Sequence, residues 1–308
     1  MTYYDIIPDI HADAARLSKT LEKLGYQLVD GIWQHPERRI AAFLGDFIDT
    51  GRDNRKVIEQ VRTMVKAGNA IAVMGNHELN ALHYHTPGKN WLNTDDGFMR
   101  AHDDKNRGQH QSFLDEYPVG SAEAQDVMNW FLTLPLFLEL EGLRLVHACW
   151  DARHVDLVEK RWSDGRLKAE DLQEVAFERT DFAQAVVNLV KGPEATLPSG
   201  CGFHDYRRTW REKARIKWWA DPAGANWRDA TLSVPNPLEL PDSSIEGKLD
   251  CAFYAPDAPP VFFGHYKRTG LPLVPDAPNV ICLDYPAHAC AYRWEGEPVL
   301  SAAGIVLI

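Results

Sequence analysis

The first 80 residues alternate short apolar runs with stretches of helical periodicity. The apolar runs are typical of buried strands and lie at residues 3–8, 40–44 and 70–74. Two stretches with apolar side chains at helical spacing separate them, at residues 12–24 and 56–66. Gly25 and Gly68 follow these stretches and indicate where the helices end. This β-α-β-α-β order predicts a parallel sheet with right-handed crossovers.

The remaining sequence predicts a second sheet and two inserted segments. Residues 83–129 are polar and rich in histidine, so we expect a cap or loop region with some helix over the rim of the sheet. Residues 152–250 are typical of a mixed insertion that is helical in part. The tail returns to strand-like runs, which we expect to form a second sheet packed against the first, at residues 260–263, 280–283, 289–294 and 298–308.

These patterns predict an α/β fold in which two packed mixed β-sheets are flanked by helices and carry a cap insertion. The length of 308 residues favours a single domain, 1–308, with 83–129 and 152–250 as cap or insertion segments within it. Hydrophobic residues make up 45% of the chain, which is enough to bury a core that holds polar groups rigidly.

Charge and cysteine content limit the possible partners and the compartment. A net charge of -11 argues against a nucleic-acid partner, because basic surfaces bind phosphate backbones. The five cysteines contain no C-x-x-C pair, which favours a reducing compartment. The N-terminus lacks a signal-peptide pattern, and no apolar run is long enough to span a membrane. We therefore expect a cytoplasmic protein without a membrane partner.

Polar residues that can bind metal ions follow the predicted strands and recur later in the chain. They are Asp9, His11, Asp46, Asn76, His147 and His265. Ligands bind at the carboxyl ends of strands in open α/β sheets, so these side chains are expected to meet at one rim. Carboxylate, imidazole and amide groups suit Mn²⁺, Fe²⁺ or Zn²⁺ better than Ca²⁺. The set is large enough for two ions, roughly 3.5–4 Å apart, that share a bridging carboxylate.

Short motifs around these residues carry a family resemblance. They are Asp9-Ile10-His11, Gly45-Asp46-Phe47-Ile48-Asp49, Gly75-Asn76-His77-Glu78, a strand-end His147 and Gly264-His265. In this order they resemble the calcineurin-like metallophosphoesterase superfamily. Their residues are similar to the corresponding motifs of the serine/threonine phosphoprotein phosphatase branch and of bacterial diadenosine-tetraphosphatase-like enzymes.

The resemblance implies a role for each residue. Asp9 and His11 would bind the first metal, Asp46 would bridge, and the second metal would be bound by Asn76, His147 and His265. His77 would protonate the leaving alkoxide, and Asp49 would hold its imidazole in the required orientation.

The same resemblance implies the reaction, the cofactors and the partners. A hydroxide bridging two divalent transition metal ions, with Mn²⁺ most favoured and Fe or Zn as alternatives, would attack a phosphomonoester or phosphoanhydride directly. The substrate would be a phosphorylated small molecule, a dinucleoside polyphosphate or a phosphoprotein.

Two positions depart from the family's pattern. Ala12 stands where the family has glycine, and Thr50 stands where the phosphatase branch has a phosphate-clamping arginine. A clamp requires a planar, bidentate donor, so another arginine has to replace it. Arg52 is one candidate for binding the substrate. Arg228 is a second, because it follows a segment, 218–222, that resembles the W-S-D-P segment of that branch.

Other residues have structural interpretations that compete with functional ones. Asp9, Asp46 and Asn76 could cap helices, but caps do not account for the histidines. Glu78 is either a buried hydrogen-bonding group or solvated. The cap histidines are expected at the surface, with substrate contact as the alternative: His83, His85, His102 and His110. The Trp and Arg residues between Tyr206 and Arg228 are expected to provide packing and ion pairs rather than a base-stacking platform.

Two alternatives to a phosphatase stay open. A non-catalytic protein that binds a phosphorylated ligand would account for the changes at Ala12 and Thr50. A phosphodiesterase or nuclease would need a basic groove, which the net charge disfavours. Lys267 stands where many superfamily members have a further histidine, and this also favours the phosphatase-like branch.

Overall fold

The computed structural model describes residues 2–89, 96–206, 208–221, 224–246, 249, 251 and 253–308. Within these residues the β-strands are β1 (Tyr4–Ile7), β2 (Gln27–Val29), β3 (Ile32–Gln34), β4 (Ile40–Phe43), β5 (Ala70–Ala72), β6 (Phe137–Leu140), β7 (Leu143–Val146), β8 (Glu194–Thr196), β9 (Phe203–His204), β10 (Trp210–Arg211), β11 (Lys213–Ile216), β12 (Thr231–Leu232), β13 (Val261–Phe263), β14 (Val280–Cys282), β15 (Cys290–Trp294) and β16 (Ile305–Leu307). The α-helices are α1 (Ala14–Leu24), α2 (Asn54–Lys66), α3 (Asn76–His85), α4 (Asp104–Glu116), α5 (Ala122–Phe131), α6 (Ala152–Arg161), α7 (Leu172–Phe177), α8 (Asp181–Lys191) and α9 (Trp227–Ala230).

The first sheet has the strand order β16-β15-β1-β4-β5. Strands β1, β4 and β5 run parallel, with α1 and α2 in the connections between them, which confirms the predicted β-α-β-α-β unit. The Asp13 carboxylate caps α1 by accepting a hydrogen bond from the Arg16 N–H at 2.8 Å, so the helix begins at Ala14. Gly25 ends the helix with a left-handed φ of 94°, as the sequence predicted.

The second sheet has the order β14-β13-β7-β6 and packs against the first. Strand β13 is parallel to both of its neighbours, and β6 is antiparallel to β7. Side chains of the two sheets share one buried cluster, which includes Ile6, Ala42, Leu145, Phe262 and Ile281. Burying one Leu, Ile or Phe side chain contributes about 1.5–3 kcal/mol, so this packing holds the strand ends of both sheets in fixed positions.

The prediction that the whole tail joins the second sheet is wrong. Strands β13 and β14 do so, but β15 pairs antiparallel with β1, and β16 pairs with β15. Within residues 298–308 the strand covers only Ile305–Leu307. An apolar pattern indicates which face of a strand is buried, but it does not specify the neighbouring strand.

The His-rich segment 83–129 is more helical than its composition indicated. Helix α3 continues to His85, and α4 and α5 follow it. Phe113 and Phe131 are fully buried in the main core. The Glu116 carboxylate at the end of α4 accepts hydrogen bonds from the N–H groups of Asn54 and Arg55, at 2.8 and 2.9 Å, at the start of α2. The segment therefore packs against the first sheet's helices.

Residues 152–250 combine the helices α6 to α8 with a small antiparallel sheet of order β12-β11-β8. Trp218, Trp219 and Trp227 are buried there, as expected for packing residues, whereas Pro222 lies outside the described residues.

The treatment of 83–129 and 152–250 as insertions in one domain stays a prediction. Among the described residues no helix is both long and apolar enough to cross a membrane. The cytoplasmic location stays a prediction.

Asn54, at the start of α2, is hydrogen-bonded to the loop after β4 and to α4. Replacing it tests how much these contacts stabilise the fold. Its buried Oδ1 accepts from the Asp49 N–H at 2.9 Å, and its Nδ2 donates to Ser112 O and Glu116 Oε1, both at 3.0 Å. We expect Asn54→Ala to lower the free energy of unfolding by about 2–3 kcal/mol in urea denaturation, because it leaves buried partners unsatisfied. The exposed Asn129→Ala is the control, and equal losses in the two variants would contradict this account.

Candidate metal centre

The structure brings the six predicted ligands together from five strand ends. Asp9 and His11 follow β1, Asp46 follows β4, Asn76 begins α3 after β5, His147 follows β7, and His265 follows β13. Both packed sheets therefore contribute to one centre. All but the fully buried His147 line the same cleft.

Asp46 lies at the middle of this cluster and is only 2% exposed. Its Oδ1 lies 3.4 Å from His147 Nε2, and its Oδ2 lies 3.8 Å from His77 Nε2. Two groups of possible metal ligands have their atoms within 4.8 Å of one another, and both include Asp46: one with Asp9 and His147, the other with His11 and His77. A carboxylate shared in this way has the geometry of a bridging ligand.

His147 and Asn76 face each other in the other half of the centre. Asn76 Oδ1 lies 3.1 Å from His147 Nε2 and 2.6 Å from His265 Nδ1. His147 Nδ1 donates to Leu44 O at 2.7 Å, so Nε2 is the atom that points into the cluster. Burial lowers the pKa of His147, but the Asp46 carboxylate raises it to about 10. A cation bound here would displace the Nε2 proton.

Asp284 belongs to this centre, although sequence analysis did not identify it. It follows β14, lines the cleft and is 3% exposed. Its Oδ2 and the Nε2 of His265 are buried without a hydrogen-bond partner among the described residues. Burial and the nearby Asp46 carboxylate raise the pKa of Asp284 to about 6, and burial together with Asp284 raises that of Asp9 well above its usual range. Crowded carboxylates and unpartnered ring nitrogens fit bound divalent cations.

Several residues of the centre adopt left-handed backbone conformations. The φ angles are 51° at His11, 55° at Ala12, 51° at Asp46 and 65° at His265. Such conformations cost about 1–2 kcal/mol each in residues other than glycine, and they are known to cluster at functional sites. Ala12 adopts the turn without glycine, and its N–H donates to Phe47 O at 2.8 Å. The departure from the family's pattern at this position therefore preserves the turn.

Glu78 connects the two loops that carry Asp46 and Asn76. Its fully buried carboxylate accepts hydrogen bonds from the N–H groups of Asp46 and Gly75, both at 2.9 Å, and of Phe47 at 2.8 Å. This confirms the structural interpretation of Glu78 and excludes the solvated one. The loops after β4 and β5 are thereby held in one register.

His77 and Asp49 form the predicted pair, and a third residue extends it. Asp49 Oδ2 lies 2.6 Å from His77 Nδ1, and Asp49 Oδ1 lies 2.7 Å from Nδ1 of the buried His110. Burial lowers the pKa of His77, but the Asp46 and Asp49 carboxylates raise it to about 9. Hydrogen bonds from His110 and His77 overcome burial and lower the pKa of Asp49, so this carboxylate stays ionised.

The prediction that the cap histidines lie at the surface is wrong for three of them. His83, His85 and His110 are buried, and His85 Nε2 lies 3.2 Å from His110 Nε2. His102 is half-buried and stacks on Tyr84. Helices α3 and α4 bring these histidines into the core. His110 lies 61 positions from Asp49, so no local spacing in the sequence could identify their contact.

The cleft above the centre has a volume of about 1570 Å³. Neither predicted clamp residue lines it. Arg52 is exposed and does not line the cleft, and Arg228 forms an ion pair with Asp242 at 2.9 Å. Arg100 and Arg215 do line the cleft, from the His-rich segment and from β11. Burial lowers the pKa of Arg100, whose Nη1 donates to Asn80 Oδ1 at 2.8 Å.

Comparisons with known proteins agree with the family resemblance that the sequence motifs carry. A bis(5'-nucleosyl)-tetraphosphatase PrpE of Halalkalibacterium halodurans is 42% identical over 74 residues, covering 24% of this chain and 30% of the relative. The PrpE of Geobacillus thermodenitrificans is 39% identical over 156 residues, covering 49% of this chain and 58% of the relative. The matches thus span about a third to three fifths of these relatives' lengths.

Solved structures that align with this chain at low identity include phosphatases. A Saccharomyces cerevisiae serine/threonine phosphatase covers 100% of this chain and 79% of its own at 13% identity, with a TM-score of 0.45. A cold-active protein-tyrosine phosphatase of a Shewanella species covers 100% of this chain and 80% of its own at 12% identity, also with a TM-score of 0.45. The calcineurin-like phosphoesterase family pattern matches residues 4–266, most of the sequence. The chain therefore belongs to the calcineurin-like phosphoesterase family.

Proposed function

We propose that the protein is a hydrolase that cleaves a phosphoanhydride or phosphomonoester with two divalent transition metal ions. The ions would be held by the predicted set, Asp9, His11, Asp46, Asn76, His147 and His265. One observation carries the proposal: possible ligand atoms of Asp46 lie within 4.8 Å of those of Asp9 and His147 in one group and of His11 in another, and Asp46 also lies beside the His77–Asp49 pair. The mixed carboxylate and imidazole ligands favour Mn²⁺, with Fe and Zn as alternatives.

The protein's own residues would bind the substrate and move one proton. When bound, the cations would supply an activated water and polarise the phosphoryl oxygens. His77, protonated at Nε2, would donate this proton to the leaving oxygen. Asp49 is hydrogen-bonded to the other ring nitrogen of His77, and the second oxygen of Asp49 is hydrogen-bonded to His110. Because Asp49 stays ionised, His77 is kept in the protonated and correctly oriented form that a general acid requires.

The same pair favours an enzyme over a non-catalytic phospho-ligand binder. A binder requires cations and phosphate-binding groups, but it has no use for a buried carboxylate that maintains the charge of a neighbouring imidazole. The 2.6 Å contact between Asp49 and the partly exposed His77 is typical of an oriented acid. The turn retained at Ala12 also removes one of the two departures that supported the binder.

Arg100 is our candidate for the arginine that binds substrate phosphate in place of Thr50. Its guanidinium lines the cleft and donates to Asn80, one turn of α3 beyond Asn76 and His77. The second amide partner is Gln109, at 3.3 Å. No carboxylate among the described residues lies within ion-pair distance, so the charge of Arg100 is available to an anionic ligand. The predicted Arg52 and Arg228 lie outside the cleft.

A dinucleoside polyphosphate is the substrate class that we favour. The cleft exceeds the volume of an ordinary small-molecule site, about 300–1,000 Å³, and therefore accommodates more than a single phosphorylated group. Its lining carries several cations, including Arg100, Arg215 and Lys267. The PrpE relatives are named for this substrate class. Phosphoproteins and smaller phosphorylated metabolites are the competing substrates.

A substrate panel tests the activity directly. Folded protein supplied with Mn²⁺ should hydrolyse diadenosine tetraphosphate and p-nitrophenyl phosphate. His77→Ala should lower kcat by roughly 10²–10⁴ fold, because it removes the general acid. The half-buried His288, which does not line the cleft, supplies the matched control: His288→Ala should retain full activity. Intact substrates under every divalent metal, with protein that circular dichroism shows to be folded, would mean that the enzyme proposal is wrong.

The pH dependence of kcat tests the role of Asp49. His77 acts only when protonated, so activity should fall as the pH rises through its pKa, which Asp46 and Asp49 raise to about 9 against burial. Asp49→Asn removes one of these carboxylates and should therefore lower the pKa of His77. We expect the alkaline limb of the kcat profile to move to lower pH. Asp53→Asn, the same change at a position outside the cleft, should leave the limb in place. An unmoved limb in Asp49→Asn would contradict the assignment.

A further inference from the structure

The cleft that contains the metal centre also reaches a hairpin formed by β9 and β10. Tyr206 and Trp210 of this hairpin are 56% and 48% exposed, and both line the cleft. Trp218, Trp219 and Trp227, in the same inserted segment, are buried. Two large aromatic side chains facing one cleft require an explanation, because exposed aromatic surface there is not covered by packing within the described residues.

We propose that Trp210, assisted by Tyr206, forms a stacking site for a nucleobase of the substrate. This inference rests on the proposed function and extends it, since it assigns the nucleoside part of a nucleotide to a defined place on the protein. It also changes the sequence-based expectation, which gave the aromatic residues of this stretch to packing. That expectation holds for Trp218, Trp219 and Trp227 and fails at Trp210.

The indole of Trp210 is held in place from one side. A Cβ atom at Gly202 would lie 2.4 Å from Trp210 Cζ2 and 2.5 Å from Cε2, so only glycine lets the ring rest against the backbone there. The strand pairing places Trp210 opposite His204, whose ring meets the indole edge-on with centroids 5.2 Å apart. His204 is fixed in turn by Glu239, which accepts from its N–H at 2.7 Å and contacts its Nδ1 at 3.0 Å. A ring held in this way loses little entropy when a base stacks on it.

Hydrogen bonds also join Asp205 to the residues on either side of Trp210. The Asp205 carboxylate accepts from the Thr209 N–H at 2.9 Å and from Arg211 Nε at 2.9 Å. The Thr209 carbonyl also accepts from the Asp205 N–H at 2.9 Å. These bonds hold the backbone on both sides of Trp210, which suits a binding surface.

A cationic side chain close in sequence to this hairpin also lines the cleft. Strand β10 leads directly into β11, whose Arg215 lines the same cleft as His265. Trp210 and Arg215 are five positions apart, a span of roughly 16 Å in an extended chain. A nucleoside carrying a phosphate chain can contact both positions at once. Inorganic phosphate or phosphoserine cannot, and this commits the site to a nucleotide.

Stacking of a base on an aromatic ring tolerates different bases, because each has a π-face. The site should therefore distinguish nucleotides from other phosphate esters without strongly selecting one base. A phosphopeptide would gain from the cations but has no flat group required to cover the indole. We therefore take the phosphopeptide as an outcome that the experiment has to exclude.

The test compares substrates with and without a base in Trp210→Ala. We expect the KM for diadenosine tetraphosphate to rise about tenfold with kcat within about twofold, as the loss of one stacking contact predicts. The KM for tripolyphosphate should not change. Trp210→Phe should restore most of the affinity, and Phe253→Ala, which removes an exposed aromatic ring outside the cleft, should have no effect.

Isothermal titration with AMP, which needs no catalysis, separates the two proposals. If wild-type protein hydrolyses no dinucleotide but Trp210→Ala still weakens AMP binding about tenfold, the proposed function fails and the stacking site stands. Equal losses for AMP and inorganic phosphate would assign Trp210 a structural role and overturn the site. Unchanged AMP affinity, or a loss confined to phosphopeptides, would overturn it too.

Discussion

Three carboxylates buried around one centre set the condition that the rest of this structure has to satisfy. Asp9, Asp46 and Asp284 are 2–4% exposed. Burial, and to a smaller extent the neighbouring carboxylates, raises the pKa of Asp9 and of Asp284. Removing anions from water is costly unless positive charge compensates them. The Asp46 carboxylate raises the pKa of His147 against the effect of burial, so that its imidazolium supplies part of that charge. Two divalent cations would supply more than enough, and they would also convert a destabilising cluster into a reactive one.

The polypeptide maintains this arrangement with neighbours that lie outside it. The Glu78 carboxylate accepts hydrogen bonds from three backbone N–H groups and thereby fixes the loops after β4 and β5 relative to each other. Left-handed residues at both packed sheets turn the chain sharply, so that candidate ligands separated by up to 256 positions meet within one small volume. Sheet-on-sheet packing supplies the stability that offsets this strain. The packing that makes the core rigid therefore also positions the polar side chains at the strand ends.

Local sequence predicts the parts of this site that depend on local order. Strand ends, the Gly25 helix end and the D-x-H, G-D-x-x-D and G-N-H-E motifs could be identified because strand-turn-helix geometry extends over a few residues. His110 and Asp284 could not, since only long-range packing brings them to Asp49 and Asp9. Arg100 could not be identified either, because it reaches the cleft through the fold of another segment. The substrate-binding roles of Arg52 and Arg228 stay predictions. The antiparallel addition of β15 to β1 likewise depends on pairing rather than pattern.

Metal content measured by mass spectrometry is the most direct test of a centre built around Asp46. Protein loaded with Mn²⁺ and then desalted should retain about two ions per chain, as expected for a pair of ions with a bridging carboxylate. Asp46→Asn should retain fewer than one, because the bridging oxygen and its charge are lost. Asp53→Asn, which lies outside the cleft, should retain the wild-type content. A single ion in the wild-type protein, or two ions in Asp46→Asn, would contradict the account.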